Sequence, residues 1–402
     1  MDFSLSEEHK AVQKLARDFA EKEVAPIIKE ADRKQEMPSF ILPRLCELGL
    51  LGLCIPVKYG GQGMDYITLG LVCEELDYVD IALRTAISVH LGLNSLGLLQ
   101  WGTEEQKQLY LMPQALGEKF GMFGLTEPGA GSDVANMSST ARLEGDSYVI
   151  NGEKTWISLA SQAHHILWFA KTDTDAGNAG ISAFIIETDR PGITKGDIHG
   201  KMGSRAGSTG WVNCQDVRIP ASNILGEEGE GFKIAMSCLD NGRYTVGSGC
   251  VGVMRASLDA STKYANERRA FGAKIGKLQL VQQKIAQMTA DYEIGLMMYL
   301  KVGWLKNKGI RNTRETSLLK WFATEAAFKN ANEAIQIHGA YGYSDEYDVE
   351  RFMRNVRVTT IYEGTSEVQQ LIQAGYALGY RKDGELRCEL PHYDEDEWQK
   401  SN

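Results

Sequence analysis

What most constrains this chain is the change of period along it. The text is helical to about residue 115, strand-like from about 118 to 228, and helical again, in long stretches, from about 229 to 380. Most large enzymes alternate strand and helix, so the order helical, β, helical narrows the fold more than any single motif does. In the first zone Val12, Leu15, Ala16 and Phe19 follow the i, i+3, i+4, i+7 spacing of a buried helix face. Ser6 with Glu7 and Glu8 suits a helix start, and Pro26 stops or reorients that helix. Residues 66–80 and 104–116 also read as helix.

In the second zone Ser147-Tyr148-Val149-Ile150 and Lys154-Thr155-Trp156-Ile157 flank Asn151-Gly152, which predicts a hairpin turning at that pair. Residues 166–170 and 181–186 add two strand-like runs. In the third zone 249–267, 279–306 and 315–339 predict extended helices, long enough to suggest a bundle that buries faces between subunits. A polar, acidic tail with Cys388, Pro391 and Trp398 reads as a surface extension.

Composition excludes several classes. The formal net charge of −10 disfavours a nucleic-acid surface. Apolar runs are too short to span a membrane, and the N-terminus is acidic where a targeting peptide is basic, so a cytoplasmic protein is expected. Seven cysteines without a C-x-x-C pair, and histidines without metal-ligand spacing, predict neither a disulfide framework nor a metal.

Four segments are candidates for chemistry. Gly247-Ser248-Gly249-Cys250-Val251-Gly252 fits the nominal dinucleotide pattern, but no strand precedes it; small residues that let two helices approach are the better reading. The segment from Phe123 through Thr126-Glu127-Pro128-Gly129-Ala130-Gly131-Ser132-Asp133 is either a linking loop or a loop whose amides approach a planar or phosphorylated ligand. Trp156 is either a core residue or a platform for a flat ring. Glu363, in Thr360-Ile361-Tyr362-Glu363-Gly364-Thr365-Ser366, is either a capping acid or, in an apolar pocket, a base with a raised pKa.

Together and in this order the segments resemble the acyl-CoA dehydrogenase family. Further matches are Gly152-Glu153-Lys154-Thr155-Trp156-Ile157-Ser158, Glu267-Arg268-Arg269-Ala270-Phe271-Gly272 and Gln336-Ile337-His338-Gly339-Ala340-Tyr341-Gly342. The resemblance implies an α+β fold: an N-terminal helical domain (1–117), a middle β-barrel or sandwich domain (118–228) and a C-terminal four-helix bundle (229–380), followed by the extension (381–402). It implies FAD, an acyl-CoA substrate, an electron-transferring flavoprotein as acceptor and a homotetramer. Phe123, Leu125, Thr126, Gly131 and Ser132 would line the flavin, with Trp156, Ile157 and Ser158 at its other side. Arg268, Phe271, Gln279, Gln336, Gly339 and Ala340 would reach the FAD of a neighbouring subunit, a guanidinium suiting the pyrophosphate. Thr365 and Glu367 would finish the adenine-nucleotide contacts. Ser132, Asp240, Arg243, Gly364, Arg84 and Thr85 would touch the substrate.

The family places its base at one of two positions, and the other falls on Gly242, which leaves Glu363. Glu363 would take the α-proton as a hydride leaves Cβ for flavin N5. The Glu363 N–H and a ribityl hydroxyl would hold the thioester oxygen, such donors being worth about 3–4 kcal/mol each. Residues 79–89 resemble the glutaryl-CoA branch, where the arginine matching Arg84 holds a distal carboxylate. Decarboxylating members carry a glutamate where this chain has Asp77, so a reaction ending at the enoyl-CoA is expected. The extension resembles that of benzylsuccinyl-CoA dehydrogenases. A plain short-chain, branched or cyclic acyl-CoA, or an oxidase on the same scaffold, are the alternatives.

Overall fold

The computed structural model describes residues 4–393; Trp398 of the tail and the first three residues of the acidic N-terminus lie outside them. Eight helices precede the sheet: α1 (Glu7–Asp18), α2 (Ala25–Lys34), α3 (Ile41–Glu47), α4 (Tyr66–Val79), α5 (Ile81–Ile87), α6 (Leu96–Trp101), α7 (Glu104–Gln106) and α8 (Met112–Ala115). Ser6 caps α1 by accepting from the His9 amide, and the His9 ring accepts from the Ser6 N–H in return. Ala16 and Phe19 are buried. Pro26 does not stop the helix: a π-helical stretch, Phe19–Val24, runs directly into α2, with the proline in that helix's first turn. α4 is buried on nearly every side because it packs between α1 and the long helix of the C-terminal region.

The strands are β1 (Gly121–Gly124), β2 (Thr140–Glu144), β3 (Ser147–Ser158), β4 (His165–Lys171), β5 (Ile181–Glu187), β6 (Ile193–Asp197), β7 (Thr209–Pro220) and β8 (Ile224–Leu225). Seven form the path β6-β7-β3-β2-β4-β5-β8, and β1 lies parallel to β4. One local expectation fails here. Asn151-Gly152 is no hairpin turn: β3 runs straight through it for 12 residues, and its tight reversal from β2 lies at 145–146. The bulge opposite it belongs to β7, where Gln215 and Asp216 (φ 49) face the single residue Asn151, while Gly152 takes φ 146 because a Cβ there would lie 2.6 Å from that of Ser139. Asn and Gly suit a turn, but pairing along β7 holds them in continuous strand.

The C-terminal region holds α9 (Gly231–Glu267), a two-stranded ribbon of β9 (Arg269–Ala270) and β10 (Ala273–Lys274), then α10 (Gln279–Asn307), α11 (Thr313–His338), α12 (Val349–Val356) and α13 (Ser366–Ala377). α9 begins well before residue 249 because the glycine-rich stretch is itself helical and buried. A Cβ on Gly247 would come within 2.6 Å of Leu319 in α11, and one on Gly252 would overlap the Glu74 carbonyl of α4. Those glycines set how closely α4 and α11 approach α9. Among the described residues no helix is long and apolar enough to cross a membrane. The extension is tied down at two points: Arg311 pairs with Asp383 at 3.0 Å, and Arg387 pairs with Glu230 at 2.7 Å while lying over the Trp101 ring.

Candidate active site

Glu363 sits in the turn before α13 with φ 56, a left-handed conformation that costs a non-glycine residue about 1–2 kcal/mol. Four hydrogen bonds from three side chains to two successive carbonyls hold it there. Arg243 Nε (3.0 Å) and Gln369 Nε2 (3.2 Å) donate to the Glu363 carbonyl. Gln369 Nε2 (3.0 Å) and Lys320 Nζ (2.7 Å) donate to that of Gly364. Gly364 continues the turn at φ 92, where a Cβ would lie 2.7 Å from Gln369 Nε2. Among the described residues the Glu363 N–H donates to no protein acceptor.

The Glu363 carboxyl is buried. Ser88 Oγ, itself bonded to Thr245 Oγ1 at 2.6 Å, approaches Oε1 at 3.5 Å, and Oε2 has no partner among the described residues. Burial pushes the carboxyl from 4.5 up to about 7, against the pull of Arg84, Lys320 and Arg243. Oε2 lies on Gly242 of α9: a Cβ there would overlap it and come within 2.6 Å of Leu93 Cδ2. The two positions on which a base could stand therefore face each other, and a side chain at 242 excludes the carboxyl of 363 from its present place.

Three cations approach this carboxyl and two are already matched. Arg243 pairs with Asp240 at 3.1 Å, and Asp240 also accepts from Thr313 Oγ1 at 2.6 Å. Arg84, 1% exposed, donates through Nε to Asp77 at 3.1 Å and through Nη2 to the Tyr362 hydroxyl at 2.7 Å. Among the described residues Arg84 Nη1 and Asp77 Oδ1 have no partner, so each half of this pair retains bonding capacity. Burial pushes the Asp77 carboxyl up to about 6, against the pull of Arg84. The Thr85 hydroxyl is spent within its own helix, on the Ile81 carbonyl.

A second group of candidates lies at β1 and the loop that follows it. Phe123 and Leu125 are buried, whereas Gly129, Gly131 and Ser132 are exposed, and nothing stands within 4 Å of a Cβ placed on either glycine. Thr126 accepts from the Thr155 N–H at 2.9 Å, which fixes the loop beside β3. The buried pair Lys154–Glu127 (2.7 Å) staples the same two segments, and Glu127 also accepts from the Ser138 and Ser139 amides. Opposite the loop, β3 kinks at a bulge. There Trp156 takes φ 60 and stays 61% exposed, while Ile157 is buried and Ser158 half-buried. An apolar floor, an unobstructed glycine loop and a large ring left open fit a flat aromatic cofactor such as FAD. The π-helical stretch Ser88–Ser95 joins this group to the first: Ser88 faces Glu363, and Asn94 Nδ2 donates to Met122 of β1 at 2.7 Å.

The remaining candidates form a third, separate group. Arg268, Phe271, Gln279, Gln336, Gly339 and Ala340 are all exposed, with Phe271 at 92% on the tip of the β9–β10 ribbon. Arg268 lies over the Tyr341 ring, which connects the ribbon to the turn after α11. Among the described residues no hydrogen bond or ion pair ties this group to Glu363. The Thr365 hydroxyl caps α13, accepting from Val368 N, and Glu367 is exposed in that helix's first turn. Sequence reasoning overlooked Lys320, Gln369 and Ser88. The signal for Lys320 was there: it lies on the buried stripe of α11 with Thr316, Ala323 and Ala327, where a lysine needs a reason.

Comparison with known proteins agrees along the whole chain. Residues 6–118, 122–217 and 229–377 match in turn the N-terminal, middle and C-terminal domains of acyl-CoA dehydrogenase. The mitochondrial short-chain specific acyl-CoA dehydrogenase of Mus musculus is 42% identical over 374 residues, 93% of this chain and 91% of that one. The butyryl-CoA dehydrogenase of Megasphaera elsdenii superposes with a TM-score of 0.92 at 39% identity, covering 94% of this chain and all of that one. A glutaryl-coenzyme A dehydrogenase in complex with glutaryl-CoA superposes at 0.91 with 39% identity, covering 98% of this chain and all of that one.

Proposed function

From the premise that this chain belongs to the acyl-CoA dehydrogenase family, whose members are FAD-dependent oxidoreductases, we propose that Glu363 is the base that takes the α-proton of its acyl-CoA substrate. The observation that carries this is the carboxyl itself: buried, with Oε2 unpartnered on the bare face of Gly242, and ionising near neutrality. Phe123, Leu125, Thr126, Gly131, Ser132, Trp156, Ile157 and Ser158 hold FAD, which when bound supplies the acceptor for the β-hydrogen. The Glu363 N–H serves the thioester oxygen as negative charge develops on it, and a fixed donor of that kind is worth about 3 kcal/mol. Arg243, which also holds the Glu363 turn, and Asp240 touch the CoA portion of the substrate together with Ser132. Arg268, Phe271, Gln279, Gln336, Gly339 and Ala340 complete the cofactor site of a neighbouring subunit in a homotetramer, and an electron-transferring flavoprotein receives the electrons. Replacing Glu363 with Gln tests the assignment: FAD binding persists and substrate no longer bleaches the flavin. Full bleaching by that variant ends the proposal.

The acyl group, we infer, ends in a carboxylate held by Arg84. The support is a buried guanidinium with Nη1 still available. A glutaryl- or benzylsuccinyl-type substrate fits, and the short Asp77 favours stopping at the enoyl-CoA. A plain short-chain substrate is the second reading, favoured by the short-chain and butyryl relatives and by the charge balance Arg84 already has with Asp77. Flavin reduction across glutaryl-, benzylsuccinyl-, butyryl- and cyclohexanecarboxyl-CoA separates them. Arg84→Ala slows the carboxylated esters far more than butyryl-CoA on the first reading and equally on the second.

A further inference from the structure

Within the charge inventory around Glu363, one buried cation stands apart. On α4 and α5, Asp77 matches Arg84; on α9, Asp240 matches Arg243. Ser88 and Thr245 contribute hydroxyls, Tyr362 a phenol bonded to Arg84, and Cys250 a buried thiol. On α11, Glu325 is exposed and accepts from Ser366. Lys320, also on α11, is 0% exposed, and no ion pair within 4 Å is recorded for it among the described residues. Its ammonium donates to the Gly364 carbonyl at 2.7 Å, one peptide unit beyond Glu363. A buried lysine costs least where a negative group offsets its charge, and the group acting most strongly on Lys320 is Glu363, ahead of Cys250 and Glu325.

We propose that Lys320 is a positioning residue for the base, fixing the turn through the Gly364 carbonyl and supplying the one uncancelled positive charge that keeps Glu363 ionised. The inference rests on Glu363 being the base. Burial lowers Lys320 to about 8 and Glu363 works against that, while Lys320 in turn holds Glu363 down, as a reciprocal pair must. The two roles are separable. Glutamine at 320 keeps a donor for the carbonyl and loses the charge, whereas methionine loses both.

The test titrates the Glu363 carboxyl of the FAD-loaded enzyme by its infrared carbonyl band, identified as the band missing from Glu363→Gln, alongside the pH dependence of anaerobic flavin reduction. With Lys320→Gln the titration moves up by about one pH unit, as expected for losing one of the positive charges that hold the carboxyl down. Reduction below neutrality then falls about ten-fold, and the high-pH plateau stays within about three-fold of the parent. Lys320→Met shows the same displacement with a plateau lowered more than about ten-fold, because the turn loosens as well. A Lys320→Gln enzyme that titrates where the parent does overturns the proposal, as does a rate loss equal at every pH. If neither neutral variant holds FAD, Lys320→Arg decides: with the charge kept, its titration matches the parent, and a displacement of about one unit refutes the idea. Should Glu363→Gln itself turn over normally, the failure belongs to the base assignment and not to Lys320.

Discussion

Replacing Glu363 with glutamine should make the protein more stable while it abolishes turnover, and the gain should depend on pH in a defined way. The carboxyl goes from 4.5 in the unfolded chain to about 7 in the folded one because burial penalises its charged form. The native state thus binds that proton more tightly, so the group favours folding fully below 4.5 and loses that contribution as pH rises through about 7. Between those limits the folded parent gives up on the order of 3 kcal/mol. Glutamine, nearly isosteric and always neutral, gives up none of it. At about 2 cal/mol/K per residue of unfolding entropy over 402 residues, the difference corresponds to a Tm higher by about 4 °C at pH 8, shrinking to about 1 °C at pH 5 and to almost nothing by about pH 4. Calorimetric scans of both proteins at matched FAD saturation and concentration read this directly. Turnover at pH 8 should fall by about 10²–10⁴ or more. A variant no more stable than the parent at pH 8, or more stable by the same amount at pH 5, refutes the claim that Glu363 is a desolvated acid.

Gly242→Ala places a methyl on Glu363 Oε2, so the carboxylate must swing away; flavin reduction should slow at least about ten-fold with FAD content and the circular dichroism spectrum unchanged. Gly249→Ala drives a methyl into Asp77 Oδ2 and to 2.9 Å from Arg84 Nε, which should cost about 1–3 kcal/mol in denaturant titration. A carboxylated acyl-CoA beside Arg84 adds a negative charge next to Asp77, already pushed to about 6. Its binding at pH 7 should therefore take up protons, seen as a buffer-dependent heat that butyryl-CoA lacks and that Asp77→Asn removes. Phe271→Ala, at a tip that nothing in its own chain covers, should leave the Tm of FAD-free protein within about 1 °C while weakening FAD retention; unchanged retention contradicts a role across subunits.

The sequence carried the three zones because period is a local property. Val12, Ala16 and Phe19, or the run at 166–170, declare helix or strand within a dozen residues. It also carried the candidate base, because the family resemblance places its two base positions on Glu363 and on Gly242, which has no side chain to take a proton. The α9 glycines were legible for a related reason: with no strand before them, they could only be places of close approach. Where a choice depended on residues distant in the chain, the text was ambiguous. Asn151-Gly152 is compatible with a turn or with continuous strand, and β7, about 60 residues on, selects the strand by bulging opposite Asn151.

Arg84 and Lys320 mark the same boundary in the site. An arginine at 84 was visible as a charge inside an apolar stretch, but its bond to the Tyr362 hydroxyl joins residues 278 positions apart. That Lys320 holds the carbonyl beside Glu363 depends on α11 lying against the turn before α13, and no short-range pattern encodes it. Periodicity and composition thus determined the kind of chain this is, and the family resemblance carried by short motifs singled out the residue proposed as its base. Only the tertiary structure decided how buried that residue is and which charges balance it. Desolvation and Coulomb interactions act through space, on distances that the order of residues leaves open.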